Sequence, residues 1–394
     1  MTVTGSLDRA RTLLELRRPA DAERELRGVL AREPHDTTAH AFLALALIQQ
    51  GGVAEAVAEA HEAVRLAPDH WFPHYVAGQV HQRAGRPDQA FAAVNASLAL
   101  EPQHAPTWEL LARTHLLRGE WQGAAEAASR GMAIDPDDAD LASLLAVALT
   151  MLGQAEPARA AAARAVHLDP ESATAHLAYG RMALAFKDPG TAATAFREVL
   201  RLDPGFGQAR ELLVQALKER NPLYRLLARL RGNFRGGRLA FLLPAVPPLI
   251  VVFILIAVLH WAAWVAESWT TLRLARAKAT SLLFEGVEAR VAVACCGLVA
   301  AGAALLTLGV VAGLGAVGTA GVAVMALATP VQEAVHTGSA AGRGLLYGWT
   351  ALLVLAVVAA VAFASATTAL LAVYAALATI WLAAGVRRAL PHDA

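Results

Sequence analysis

Six prolines stand at a constant interval of 34 residues in the first half of the chain. They are Pro34, Pro68, Pro102, Pro136, Pro170 and Pro204. Alanine precedes every one of them by twelve residues, and alanine or glycine precedes it by twenty-four. Small residues at two fixed points of a period let two helices approach closely, and proline closes each unit because it cannot continue a helix. The pattern therefore predicts stacked helix pairs of equal length.

This spacing of small residues and proline resembles the tetratricopeptide repeat over residues 1 to about 220. The resemblance implies an all-α superhelical solenoid of six repeats, and residues 207–220 follow as a capping helix. Glycine stands seventeen residues before four of the prolines and predicts a turn inside each helix pair. Arg17 and Lys187 take this place in the first and sixth periods, where Pro19 and Pro189 force the turn in another way.

In the tetratricopeptide family the concave groove of the solenoid usually binds an extended or helical peptide. Carrying the repeat register over to this chain predicts a groove lined by an aromatic ring, neutral amides and charged groups. The residues are Tyr75, Gln79, Gln82, Arg83, Glu109, Arg113 and Arg181. Arginine forks beside an aromatic ring suit a ligand segment that carries a carboxylate. The alternative is that these side chains are only the solvated side of amphipathic helices.

Histidines and cysteines offer little for metal chemistry. His70 and His74 stand one helical turn apart and His81 follows further along the same face, a spacing that allows two metal ligands. No cysteine or acid completes the set, so we interpret them as turn and surface histidines and expect no metal and no other cofactor. Cys295 and Cys296 are adjacent within an apolar run, where they form neither a disulfide framework nor a zinc motif.

The chain beyond residue 220 is basic and apolar. It holds 12 of the 34 Lys and Arg residues but only five of the 33 acids, so the repeat half is acidic and unsuited to nucleic acid. Uncharged runs predict an α-helical transmembrane domain over 239–390, made of one segment and two hairpins. The runs are 239–265, 291–328 and 345–385. We expect the hairpins to turn within 313–321 and 365–368, and Gly309 and Gly313 to allow close helix packing.

Residues 221–238 join the two halves and combine leucines at helical spacing with arginines. The arginines predicted to contact anionic headgroups are Arg225, Arg229, Arg231, Arg235 and Arg238. This indicates a basic amphipathic helix on the bilayer surface, compatible with the ordinary positive flank of a first span. If 239–265 spans fully, the flanking charge is balanced across the membrane. If that segment is re-entrant or interfacial, all flanking Lys and Arg lie on one side.

These features predict a protein of the bacterial plasma membrane whose repeats are cytoplasmic, since the first residues contain no secretory signal. The uncharged spans argue against a pump. Glu333 and His336 stand one turn apart in a polar loop, and Gly338-Ser339 resembles a rhomboid-like motif only superficially.

With no phosphate loop, dinucleotide motif or nucleophile elbow, we expect no enzyme and no small-molecule substrate. The favoured function is a membrane-anchored scaffold that recruits a protein or peptide partner to the bilayer. The alternatives are a regulatory or pore-forming subunit of a transporter or channel and, more remotely, an intramembrane hydrolase, for which we find no Ser–His or metal geometry.

Overall fold

The computed structural model describes residues 3–222, 224–226, 250–276 and 287–389. The chain divides into two compact units, Met1–Leu213 and Val214–Ala394. Every regular element in the described ranges is a helix, which confirms the all-α prediction. The predicted domain bounds 1–220, 221–238 and 239–390 stay predictions. Arg229, Arg231, Arg235 and Arg238 lie outside the described residues, as do 239–249 of the first apolar run.

The first unit consists of antiparallel helix pairs in sequence, and the last six residues of α13, Val214–Glu219, belong to the second unit. The helices are α1 (Val3–Glu15), α2 (Pro19–Leu30), α3 (Thr37–Gln49), α4 (Val53–Leu66), α5 (Trp71–Arg83), α6 (Pro87–Leu100), α7 (Ala105–Arg118), α8 (Trp121–Ile134), α9 (Ala139–Met151), α10 (Ala155–Leu168), α11 (Ala173–Ala185), α12 (Pro189–Leu202) and α13 (Gly207–Glu219). Each helix from α1 to α10 contacts its pair partner and the next pair, as the period requires.

The small residues of the period are the points of closest approach. All six alanines twelve residues before the prolines are fully buried. At Gly78 a Cβ atom would lie 2.6 Å from Cγ2 of Val94, and at Gly180 it would lie 2.5 Å from a ring carbon of Phe196. Only hydrogen fits at these two glycines, which confirms the reason given for the pattern.

The turn inside each pair has one geometry in all six repeats. The four turn glycines adopt positive φ, 85° at Gly51 for example, and Arg17 and Lys187 do the same with φ of 56° and 66°. The amide of the residue after the left-handed one then donates to a carbonyl five residues back, as from Arg18 to Leu13 and from Asp188 to Ala183, both at 2.8 Å. The proline that follows Arg17 or Lys187 therefore does not replace the left-handed turn. It accompanies the same turn.

A recurrent hydrogen bond ties four of the six ladder prolines to the helix that follows them. The residue six positions after the proline donates a ring N–H to the proline carbonyl, at 2.9 Å from His40, 2.8 Å from His74, 2.8 Å from Trp108 and 2.9 Å from His176. In the fifth period this position is alanine, and Arg164 donates to Pro136 instead. The histidines at this position are therefore structural donors rather than merely solvated surface groups.

The second unit contains six described helices beyond α13. They are α14 (Ile250–Arg276), α15 (Val287–Val311), α16 (Gly315–Ala326), α17 (Ala328–Val335), α18 (Ala340–Ala362) and α19 (Ala366–Ala389). Four stretches are long and apolar enough to cross a membrane: Ala289–Val311, Gly315–Val335, Ala340–Ala362 and Ala366–Ala389. The two predicted hairpins are present as α15 with α16–α17 and as α18 with α19.

The first hairpin turns more tightly than its glycine content predicts. Only 312–314 leave the helix, with Gly313 at a φ of 67°, and 315–326 are already helical. Gly309 does provide close packing, because a Cβ there would collide with the backbone of Gly318. The expected partner Gly313 is the turn residue, and Gly302 takes the packing role against Gly321 at the next level.

The second hairpin turns at Phe363–Ser365, at the start of the predicted turn. Ala364 has a φ of 47°, and the Ser365 hydroxyl accepts a hydrogen bond from the Thr368 amide at 3.3 Å. Because the spans joined by these turns alternate in direction, both uncharged turns lie at one end of the bundle. Arg290, Arg343 and Arg387 lie at the other, which we call the basic end.

Candidate functional site

The predicted groove residues lie on the first helices of successive repeats. Contacts run from α3 to α5, α7, α9 and α11, so these helices form one continuous surface. Tyr75 and Glu109 stand seven residues after a ladder proline, and Gln79, Arg113 and Arg181 stand eleven after one. Equal register places such side chains on the same face of successive repeats.

Five of the seven residues form one interacting cluster, which we call the groove cluster: Tyr75, Gln79, Arg83, Glu109 and Arg113. Arg113 Nη2 lies 2.5 Å from Glu109 Oε1, one turn apart on α7. Gln79 is hydrogen-bonded to the Tyr75 hydroxyl. Burial, and then the neighbouring Glu109 carboxylate, raises the pKa of Tyr75 above its ordinary value. Tyr75 is therefore a neutral hydrogen-bonding group at physiological pH.

In the groove cluster and beside it, acidic side chains partly neutralise the charge of the arginines. Burial raises the pKa of Glu109, with Asp138 and Asp140 adding to the effect and Arg113 opposing it. Arg113 also lies 3.6 Å from Asp140 on α9. An incoming carboxylate would have to share Arg113 with these acids, while Arg83 on α5 remains exposed to solvent. The arrangement suits a segment that presents both polar and charged groups.

Within the described residues, no hydrogen bond or ion pair joins Gln82 or Arg181 to the groove cluster. The Gln82 amide nitrogen is buried, with no hydrogen-bond partner among the described atoms. Arg181 lies two repeats further along on α11 and is half-buried. Their part in ligand binding stays a prediction, as does that of the other five residues.

Sequence reasoning missed other groups beside the cluster. Asp140 stands four residues after its proline, a register that belongs to the same helical face as positions seven and eleven, so the repeat pattern contained the signal. Trp71 and His104 form an aromatic wall, with ring centroids 4.3 Å apart, and His104 lies 5.3 Å from Tyr75. Burial lowers the pKa of His104, so its ring is neutral near pH 7.

The second unit holds a polar site that the sequence placed wrongly. We expected Glu333 in a solvated loop, but it lies on helix α17 within an apolar span and is fully buried. His260 Nε2 and the Trp264 indole donate to Glu333 Oε1 at 3.0 and 3.1 Å, and Arg387 donates to Oε2 at 2.7 Å. The carboxylate is tolerated there because both of its oxygens have donors and its charge has a partner.

The partners of His336 are the Gln332 carbonyl and Glu267 rather than Glu333. Ser339 caps α18 by accepting the Gly342 amide at 3.2 Å, so the Gly338-Ser339 sequence is a helix start. Cys295 is buried and Cys296 half-buried, and both are free thiols. The described residues contain no cluster of three or more His, Cys, Asp or Glu side chains suited to a metal.

Comparison with known proteins identifies the repeats. Two tetratricopeptide repeat profiles match, one at residues 7–70 and 143–205 and the other at 82–148. No curated protein sequence matches the chain significantly.

Solved structures with a similar fold include the APC/C hetero-tetramer Cut9–Hcn1 and PilF of Pseudomonas aeruginosa. The first is 21% identical with a TM-score of 0.50, covering 55% of this chain and 43% of the other, so this chain spans less than half of that relative. PilF is 20% identical with a TM-score of 0.47, covering 54% of this chain and 97% of the other. At these identities the likeness concerns the fold alone. With the period, the helix pairs and the matching profiles in agreement, this chain is a tetratricopeptide repeat protein.

Proposed function

We propose that the chain is a membrane-anchored scaffold whose repeat groove binds an extended segment of a protein partner and recruits it to the bilayer. Tetratricopeptide repeats form protein–protein interaction scaffolds. The observation that carries the proposal is the groove cluster, in which an aromatic ring, an amide and opposite charges from α5 and α7 converge on one surface. Backbone amides and carbonyls of an extended segment pair with such amide and hydroxyl groups, and its charges select the register.

Anchoring is supported by the four apolar spans. Large apolar side chains on them are exposed, including Val311 at 87% and Leu371 at 68% of their surface, as expected of surfaces that contact lipid. The interior between α16, α18 and α19 consists of alanine and valine. Such small residues favour a packed anchor over a wide aqueous pore, so we prefer the scaffold to the transporter or channel subunit.

We further propose that the basic end faces the cytoplasm of a bacterial cell. The four spans found among the described residues would place the start of α15 and the end of α19 on one side, together with Arg290, Arg343 and Arg387. In the described residues, the opposite end presents the two uncharged turns. Positive residues beside spans stay in the cytoplasm, and α13 enters the second unit from the repeats, so the repeats would share that compartment. Arg225, the one described arginine of the predicted headgroup set, is half-buried.

A crosslinking pull-down from membranes tests the groove. We expect one or more partner proteins to be recovered with the unaltered chain and lost with Arg113→Ala combined with Arg181→Ala. Arg197→Ala is the matched control, since Arg197 is an exposed arginine on the second helix of the sixth repeat. Equal recovery of every partner by both variants would remove the groove assignment.

Protease accessibility tests the proposed membrane orientation of the repeats. Protease added to intact cells should leave residues 1–220 uncut, whereas protease added to inverted membrane vesicles should digest them. Digestion of the repeats in intact cells would refute the proposed orientation.

A further inference from the structure

A second polar cluster lies near Glu333 at the basic end of the bundle and has no place in the scaffold function. Lys218 Nζ lies 3.5 Å from Glu267 Oε1, and His336 Nε2 lies 3.8 Å from the same oxygen. Together with Gln332 these side chains line a cavity of about 20 Å³, a volume that holds roughly one water molecule. Glu267 is buried, while the His336 side chain is 38% exposed, so solvent protons reach the cluster through His336.

The hydrogen bonds of His336 define which ring nitrogen is available. Nδ1 lies 2.9 Å from the Gln332 carbonyl oxygen, and because a carbonyl only accepts, Nδ1 carries a hydrogen. In the neutral ring Nε2 is then an acceptor that faces a carboxylate oxygen at 3.8 Å, too far for a hydrogen bond and of the wrong type. A proton added at Nε2 would replace this mismatch by an ion pair.

Among the described residues, the charges around His336 come from four helices. Glu267 on α14 and the ring of Trp264, whose centroid lies 4.6 Å from that of His336, both attract a positive charge at this position. Lys218 opposes it from across the cavity. Two arginines also face this end, but they are engaged elsewhere: Arg343 of α18 donates to the carbonyls of residues 337 and 338, and Arg387 of α19 to Glu333. From α15 the cavity receives only Val291 and Ala292.

We propose that His336 is a proton-responsive latch on the contact between Lys218 and Glu267. With a neutral His336, Glu267 pairs with Lys218. When Nε2 gains a proton from solvent, the imidazolium competes for the same carboxylate oxygen. The ion pair between Lys218 and Glu267 of α14 is then weaker. Glu333 keeps its partners throughout, so it fixes α14, α17 and α19 while the latch changes state. Lys218 stands in the last turn of α13, and acidification therefore releases the end of that helix from the bundle.

Tryptophan fluorescence of the full chain in lipid nanodiscs tests the latch. A protonated imidazole quenches a neighbouring indole, and the difference between the unaltered protein and Trp264→Phe isolates the Trp264 signal. We expect this component to lose at least half of its intensity between about pH 8 and pH 5.5, the range in which an imidazole charges. His336→Gln, which keeps a donor for the Gln332 carbonyl, should abolish that loss. An undiminished loss in His336→Gln would assign it to His260, the other imidazole beside Trp264, and overturn the proposal.

Carbodiimide crosslinking measures the contact itself. The reagent joins an amine and a carboxylate that are already in contact, so mass spectrometry of the Lys218–Glu267 crosslink reports the closed latch. We expect the crosslink yield of the unaltered chain, divided by that of His336→Gln, to fall at least twofold from pH 8 to pH 5.5. Taking the ratio removes the pH dependence of the reagent. A constant ratio would show that His336 does not compete for Glu267.

Discussion

The bond between a ladder proline and the following helix makes a quantitative prediction at His40. Its Nε2 lies 2.9 Å from the Pro34 carbonyl oxygen and its Nδ1 lies 2.5 Å from Glu59 Oε2. Both nitrogens face acceptors, so only the imidazolium satisfies both. Burial lowers the pKa of His40, but the bonds to Glu59 and Pro34 outweigh it and leave the pKa above its ordinary value.

A raised pKa sets the sign of the pH dependence. The stabilisation is complete below the ordinary histidine pKa of about 6.5 and is lost as pH rises through the higher folded-state value. Two bonds, one of them to a charged partner, contribute about 2 kcal/mol at pH 6, and the neutral ring keeps one bond of about 1 kcal/mol at pH 9. His40→Leu should therefore cost about 2 kcal/mol at the lower pH and about 1 kcal/mol at the higher.

Native-state hydrogen exchange of the full chain measures this cost, because solenoid repeats open locally. Protection of the α3 and α4 amides should fall about 30-fold at pH 6 and about fivefold at pH 9 in His40→Leu. His74→Leu is the control: the structure shows a bond from His74 only through Nε2 to Pro68, so the loss should be about fivefold at both pH values. An equal loss at pH 6 and pH 9 in His40→Leu would refute the two-bond reasoning.

Two further predictions concern glycines at close helix approaches. Gly180→Ala places a methyl carbon 2.5 Å from the Phe196 ring. This should lower the free energy of unfolding of the last repeats, measured by hydrogen exchange, by about 1–3 kcal/mol. Gly190→Ala, whose nearest contact would be 3.5 Å away, should change that free energy little. Gly309→Ala should lower the thermal midpoint of the bundle in detergent by several degrees, roughly the effect of 1–3 kcal/mol. Gly297→Ala, which has open space at its Cβ, should leave the midpoint unchanged. Equal midpoints of the two variants would argue against backbone contact between α15 and α16.

The repeat architecture was predictable because its constraints are local and recur. A residue that must be small, such as Ala22 or Gly180, is visible as a register at a constant period, and so is each left-handed turn. The donor six residues after each proline is equally periodic, but its residue type changes from histidine to tryptophan and, in the fifth period, to alanine with Arg164 as substitute. A rule defined by hydrogen bonding instead of by residue type is hard to recognise in one sequence.

The polar site of the bundle was not predictable for the opposite reason. His260 and Arg387 are 73 and 54 residues from Glu333, and no period relates them. A hydropathy profile assigns a lone glutamate to a loop, because the profile contains no information on hydrogen-bond donors that are distant in sequence. Likewise, the repeat register predicted that Tyr75, Gln79 and Arg113 share a face, whereas the ion pairs of Arg113 with Glu109 and Asp140 are defined by the side-chain contacts.

The most direct test of the scaffold function places a photo-crosslinking amino acid at Arg83, an exposed member of the groove cluster, in the membrane-bound chain. The same amino acid at Arg197, outside the cluster, is the control. Our account predicts a discrete crosslinked partner at position 83, absent at 197 and suppressed by Arg113→Ala with Arg181→Ala. Identical crosslinks at both positions, or a crosslink at 83 that those substitutions leave unchanged, would contradict it.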